Sequence, residues 1–543
     1  MNNETKNKNF NLGSILLLLP AALLFAGIYW VCLPSFSGYG ILWALVAALF
    51  FPGIIEFGIC YDEFFYFICE ENTATKKTVV YGQLIVAGLI FVYILIAGIG
   101  SSAMFHAQDY TDSFVVEEVD TAQEDLPSFE DVAKISLMDT DSAKKLGDRT
   151  LGGLTEYVSQ YNVSDYYTTI SYKGRVVKVA PLVHGGFVKA MNNPTIPGYV
   201  MVDTVTNEAK FVEVEGGITY STSAYFSKDL VRHVRSKYKA EMLGNYANFQ
   251  IDEEGHPYYV ITVLEHSVWK GATIPTGAIL IDTVSGKMEK YSLDALPTWV
   301  EQVVDGDMVE SLYDRHGQFI NGFWNLSDTG KTQTTNDYGY VEKDGDIYIY
   351  TGVTSVVADE SNIGFIMVNS RTGDCKYYAI PGAEEYSAKA AAEGMVQNFG
   401  YTASFPSLVM YGDEPTYVMV LKDANGLVKM YAMVNMRNYT IVSVEETLQA
   451  CQKAYVKAMT SAGSATNIEI EGIETVKETV VVSSVEFINV EGETIVYVKT
   501  EDGRVFKQVF AENENLILID AGEKVEVEYV ELETITAATI NVK

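Results

Sequence analysis

Four cations at helical spacing are the densest chemistry in this sequence. Lys228, Arg232, Arg235 and Lys239 recur at i, i+4, i+7 and i+11, which places them on one helical face. Leu230, Val231, Val234, Tyr238 and Met242 fall on the opposite face. The pattern predicts an amphipathic helix over Ser227–Leu243. Its basic face either pairs with the chain's own carboxylates or docks an anionic partner, and these four are the candidate partner-binding residues. Other reactive patterns fall short. Ser142 and Lys145 spell S-x-x-K, the nucleophile motif of penicillin-binding proteins, but neither S-D-N nor K-T-G follows. Thr329 to Thr332 reads like the end of a phosphate loop, yet Asn325 stands where its first glycine belongs. His184, His233, His256, His266 and His316 lack metal spacing, and the Asp-Gly-Asp triplets at Asp305–Asp307 and Asp344–Asp346 read as turns rather than calcium loops. The expectation is a non-enzymatic protein without catalytic residue, metal or cofactor.

The elements that carry these residues are tied to a membrane. Val79–Met104 holds no charged side chain and exceeds the roughly 30 Å of hydrocarbon that a spanning helix must cross. Leu12–Leu33 and Gly40–Ile59 read as two further spans. Lys6, Lys8, Lys76 and Lys77 mark the cytoplasmic side, so three crossings put the amino terminus inside and everything after Met104 outside. Glu56, near the end of the second span, reads as an interfacial carboxylate. Ala97, Gly98, Ser101 and Ser102 have the small-residue spacing of a helix–helix contact, which leaves a homo-oligomer open.

Net charge is −33, and residues 105–543 carry 34 basic against 65 acidic side chains. A surface that acidic argues against nucleic acid. The partners expected are the bilayer, through residues 1–104, and an unknown protein or envelope polymer. Residues 105–134 read as an acidic stalk. Five cysteines are too few for a disulfide-stapled fold. Cys451 shares a helical face with Leu448, Tyr455 and Met459 and reads as a buried thiol, while a Cys375–Cys451 bridge stays open.

Residues 135–460 contain an internal repeat. Tyr199–Val214, Ala278–Leu293, Gly364–Ile380 and Met430–Val444 each read as strand, tight turn, strand. Asp203, Asp282, Asn369 and Asn435 share one position, and Asn207, Gly286 and Gly373 follow four residues later, where a positive φ is tolerated. His256–Glu265 and Glu414–Asp423 match as preceding strands. Helices are expected at Ser227–Leu243, Ala295–Val304, Ala383–Gln397 and Glu445–Met459. The unit, a helix on a small antiparallel sheet, resembles the PepSY module. In that module a strand–D-x-x-T-G–strand hairpin closes a short meander, matched here by Asp282–Gly286, with Ser285 in place of Thr, and by Asn369–Gly373. The resemblance covers Tyr220–Val444 and implies a non-catalytic binding or inhibitory module outside the cytoplasmic membrane. Ile363–Leu408 is also similar to uncharacterised membrane-anchored proteins of Gram-positive bacteria. After a linker at 461–469, residues 470–543 alternate apolar and polar through short strands, as a small SH3- or OB-type β-barrel does.

The expected fold is therefore α+β, with three transmembrane helices, repeated helix-on-sheet modules and a terminal barrel. The expected function is a membrane-anchored extracytoplasmic binding or scaffold protein of a bacterial cell envelope. The alternative is an accessory or regulatory subunit of a membrane transport or extracellular protease system.

Overall fold

The structure, a computed structural model, describes residues 16–61, 73–119, 126, 137–204, 206–356, 358–412, 414–462, 475–490, 493–510, 513–530 and 536–542. Strands dominate. Among the described residues 25 strands in several sheets stand against ten α-helices, so the α+β description with three spanning helices gives way to a largely β architecture. Among the described residues two helices, not three, carry stretches long and apolar enough to cross a membrane, Tyr39–Gly58 and Lys77–Gly100. The first apolar helix, Leu19–Cys32, has 14 residues and spans only about 21 Å. It stops because Leu33 turns left-handed at φ 46° immediately before Pro34. Residues 12–15 of the expected first span lie outside the described residues.

Four consecutive units follow, each a helix leading into an antiparallel sheet. The helices are Thr140–Gly152, Leu230–Lys237, Gly306–Phe319 and Glu385–Met395. Asp139, Asp229 and Asp305 cap the first three, each side chain accepting a backbone N–H three residues on. Asp305 is thus a helix cap, and Asp344 with Gly345 forms a hairpin tip at φ 54° and 88°. The helix expected at Ala295–Val304 does not form. That segment is a strand-to-helix connection, and the helix begins two residues later at Gly306.

The repeat shows most clearly in one recurring lock. Asp203, Asp282, Asn369 and Asn435 end equivalent strands, paired in register with Val177, Tyr258, Tyr348 and Thr416. Two residues before each partner sits a side chain that binds the Asx group. Arg175 meets Asp203 at 2.9 Å, and His256 meets Asp282 at 3.1 Å. Asn369 donates to Asp346 at 2.8 Å, and Asn435 donates to Glu414 at 3.3 Å. In the last two units the acid has moved to the other strand and an added arginine, Arg371 or Arg437, neutralises it. The next residue locks the turn in three units: Thr204, Thr283 and Ser370 donate their hydroxyls to the carbonyls of Val176, Pro257 and Ile347. Asn207, Gly286 and Gly373 take φ of 58°, 75° and 80°, the left-handed geometry that the tight turn requires.

One core lies between the first two sheets, around Tyr199, Phe249 and Tyr259, and another joins the third and fourth, around Tyr350, Phe365 and Tyr417. The fourth sheet is covered on its other face by Leu448–Ala462, which buries Cys451, Tyr455 and Met459. Cys375 and Cys451 are both free and buried, in different clusters. The stretch expected to be a stalk is ordered at its start. Ala103–Asp112 is helical, and Val116–Val119 adds a parallel edge strand to Cys375–Tyr378 of the third sheet. Residues 120–125 and 127–136 lie outside the described residues.

The C-terminal unit is not a clear SH3- or OB-type barrel. Thr475–Val490 is one long strand shared by two half-sheets. Its first half pairs with Lys524–Val530 and its second half with Glu493–Thr500. Among the described residues the far edges meet through two parallel residue pairs, Phe506 with Thr536 and Lys507 with Ala537. With so narrow a described seam the five strands curl as a half-barrel around one core of Val482, Val496 and Phe506.

The turn chemistry is testable. Gly286→Ala and Gly373→Ala both place a Cβ at positive φ, but the new atom would lie 2.3 Å from the Tyr220 ring in the first case and 3.7 Å from Val304 in the second. Gly373→Ala is expected to destabilise by about 1 kcal/mol and Gly286→Ala by about 2–3 kcal/mol in denaturant titrations. Equal losses would show that the ring yields freely.

Candidate functional site

The connection from the second unit to the third, residues 298–304, runs between sheets and needs its backbone satisfied there. Gln250, fully buried, supplies most of that. Its Oε1 accepts the N–H groups of Glu301 and Gln302 at 2.9 and 3.3 Å, and its Nε2 donates to the Gln302 carbonyl at 2.6 Å. Thr262 donates to the Val303 carbonyl, and Ser370 donates to that of Glu301. The Glu301 side chain then points toward the first unit and accepts the Ser171 N–H. Glu301 thereby bonds elements of three units, the first through its carboxyl and the second and third through its backbone.

A cleft of about 630 Å³ opens over it. Its walls are the equivalent first hairpin tips of the first three units. Lys173 and Gly174, both at positive φ, turn the Tyr172–Arg175 hairpin. Asp252 folds the second tip by accepting N–H groups from Glu254 and His256. Asp344 and Gly345 turn the third. Asp252, Glu253, Glu254, Asp344 and Asp346 make the rim acidic. Arg371 lies on Asp346 through two hydrogen bonds, and Trp299 lies against Tyr258 with ring centroids 4.6 Å apart. Burial pushes the Glu301 carboxyl up to about 8. The Ser171 N–H and Arg371 oppose that shift, while Asp346 and Glu342 add to it. At neutral pH the floor of the cleft is a largely protonated acid that can donate a hydrogen bond, beneath the acidic rim and an aromatic face. Such a lining suits a ligand carrying an amine and a polar group.

The four cations singled out from the sequence do not share one helical face. The helix runs only from Leu230 to Lys237, and Met242 already begins a strand. Lys228 sits before it and donates to the Tyr220 hydroxyl. Arg232 donates to the Trp30 carbonyl at 2.6 Å, with its guanidinium 4.4 Å from the Trp30 ring centroid. Arg235 points inward, 8 % exposed, and donates to the carbonyls of Tyr238 and Glu241. Lys239 lies past the helix end and is exposed, and its carbonyl accepts the Phe36 N–H. Conversely, Val231, expected on the buried face, is 42 % exposed. Ser142 and Lys145 belong to a capped helix start, and Lys331 pairs with Asp328 in a turn. Glu56 is not interfacial in its contacts. It is buried against the next helix and accepts a hydrogen bond from Gln83 at 3.2 Å.

Neither Gln250 nor Glu301 was singled out from the sequence. The available signal was an acid and an amide, Glu301 and Gln302, inside the apolar run Leu296–Val304.

No family model matches this chain, and no curated protein matches it. Solved structures with some likeness are a chimera of ACO and RPE65 (10 % identity, 53 % of this chain and 49 % of that one, TM-score 0.13), a Synechocystis apocarotenoid oxygenase (8 %, 72 % and 64 %, 0.14) and the polysaccharide lyase Uly1 (11 %, 64 % and 75 %, 0.15). The chain spans about half the length of the first and under two thirds of the second. At these TM-scores the likenesses carry no argument about fold or activity.

Glu301 predicts a pH signature. A carboxyl whose folded pKa lies above its unfolded value of about 4.3 holds its proton more tightly in the folded state. That stability is complete below pH ~4 and is lost as pH rises through about 8. Glu301→Gln keeps an acceptor for Ser171 and removes the titration. Between pH 5 and 9 the variant is expected to gain on the order of 2–4 kcal/mol relative to wild type in urea unfolding. A constant difference across that range would place the carboxyl in water.

Proposed function

We propose that this chain is a membrane-anchored, extracytoplasmic binding protein of a bacterial cell envelope, non-enzymatic and built from PepSY-like units. Its ligand is taken up in the cleft over Glu301. The observation that carries the reading is the convergence of three equivalent hairpin tips on one buried carboxyl, with carboxylates, a guanidinium and aromatic faces lining the space above it. The ligand this lining favours is an amine-bearing protein segment or envelope polymer. The placement rests on Lys76 and Lys77 at the amino-terminal end of the second long apolar helix, which favour the cytoplasmic side for that end and put residues after Gly100 outside. The cytoplasmic amino terminus required a third crossing and is not carried forward.

A second reading, an accessory or regulatory subunit of a membrane transport or extracellular protease system, is favoured by the Glu56–Gln83 pair. A buried acid hydrogen-bonded to an amide between apolar helices is a costly arrangement that membrane machines use at their working surfaces.

Two measurements test this. Protease added to whole cells is expected to digest residues after Gly100, and digestion only after permeabilisation would reverse the orientation. Crosslinking in intact cells, followed by purification of the full chain, is expected to recover a product that Trp299→Ala and Arg371→Ala lose. Loss with Glu56→Gln instead would favour the second reading.

A further inference from the structure

The second unit does not hang free of the membrane helices. Ser35 donates to the Ala240 carbonyl at 2.6 Å, Lys270 donates to the Ser37 carbonyl, and Trp269 packs edge-on against Tyr93, 3.2 Å from where a Cβ on Gly100 would sit. The unit therefore rests on the turn between the first two apolar helices and on the end of the third. Between it and the first helix lies a cavity of about 370 Å³, walled by Tyr29, Trp30 and Leu33 on one side and by Phe226, Arg232, Arg235 and Lys239 on the other.

The electrostatics of this cavity run against the rest of the chain. In a protein of net charge −33, Arg232, Arg235 and Lys239 form no salt bridge among the described residues. The nearby acids are engaged elsewhere: Asp229 caps the helix by accepting the Arg232 N–H, and Glu241 pairs with Lys290 at 2.9 Å. Arg235 is more than nine-tenths buried, and its Nε has no hydrogen-bond partner among the described residues. A buried guanidinium donor left open beside a cavity favours an anion there.

The cavity also has an apolar rim. Phe226 is 56 % exposed and held at φ 56°, a strained conformation for an aromatic residue. Its ring touches Phe187, 6.3 Å away, and the Phe187 helix leaves Val188 69 % exposed. Phe226 shares the cavity with the end of the first apolar helix, and exposed apolar side chains beside cations at such an end match the boundary between acyl chains and headgroups.

We propose that this cavity holds the headgroup phosphate of an anionic phospholipid, with Phe187, Val188 and Phe226 entering the leaflet that faces the second unit. Arg232 and Lys239 supply the outer charge and Arg235 the buried donor. The inference is independent of any ligand for the Glu301 cleft.

The test uses the full chain in detergent, with bound lipid counted by native mass spectrometry during titration with phosphatidylglycerol or phosphatidylcholine. Wild type is expected to retain phosphatidylglycerol preferentially. The double substitution R232Q/K239Q, at two side chains outside the cores, is expected to lower that retention about tenfold or more while melting with wild type. Val188→Asp, remote from the cations, is expected to weaken retention of both lipids. The proposal is overturned if wild type shows no preference between the lipids, or if R232Q/K239Q keeps the wild-type preference. It is also overturned if excess inorganic phosphate displaces the lipid, which would mark the cavity as a site for free anions. Retention unchanged by Val188→Asp would remove the rim from the contact.

Discussion

The arrangement of the repeated units depends on one buried amide. Gln250 sits in a strand of the second sheet, and both ends of its side chain bond to the backbone at Glu301 and Gln302. A buried amide must be satisfied, and so must the backbone of a connection passing between sheets, so each meets the other's need. Ser370 from the third unit and the Ser171 N–H from the first complete the junction. The angle between units is set there by hydrogen bonds, which are directional, rather than by apolar contact, which is not. The cleft is the space left when three hairpin tips are held around that junction.

The four units show how much exchange such a lock tolerates. Where a strand ends in Asp, its neighbour is Arg or His. Where it ends in Asn, the neighbour is an acid and an arginine enters from the turn itself. Geometry is kept while the charge moves across the hairpin. The consequence falls at the cleft, because Arg371 and Asp346 are members of that lock and also line its wall. Structural pairing and the electrostatics of the site are in this protein the same residues.

The membrane end obeys a different balance. Two of the four small residues at the end of the third apolar helix pack inside this chain. Ala97 and Ser101 are buried, and Ser101 accepts the Tyr110 hydroxyl on its carbonyl. Space left by Gly100 is taken by Trp269. Cations collect on the face that meets the first helix, although acids outnumber them nearly two to one in the sequence as a whole. Exposed charges act over only about 8–10 Å at physiological salt, so this local basic face, and not the net charge, governs what lies against it.

Local chemistry was legible in the sequence. The strand–turn–strand repeat followed from alternating apolar residues ending in Asx, and the positive φ at Asn207, Gly286 and Gly373 followed from which residues tolerate it. The two long apolar helices followed from length and from charge confined to their ends. Other features turned on a single residue that periodicity does not weigh. Leu33 before Pro34 cut the first helix short, and the capping Asp229 together with the early end at Lys237 dissolved the four-cation face. The C-terminal strands were visible, but their closure depended on which edges met, and two residue pairs hold the seam among the described residues. The site was the least legible part, for a physical reason. Glu301 is chemically ordinary until Ser171, 130 positions earlier, and Gln250, 51 positions earlier, are folded around it. Only tertiary packing removes the water that would otherwise keep its pKa near that of any other glutamate.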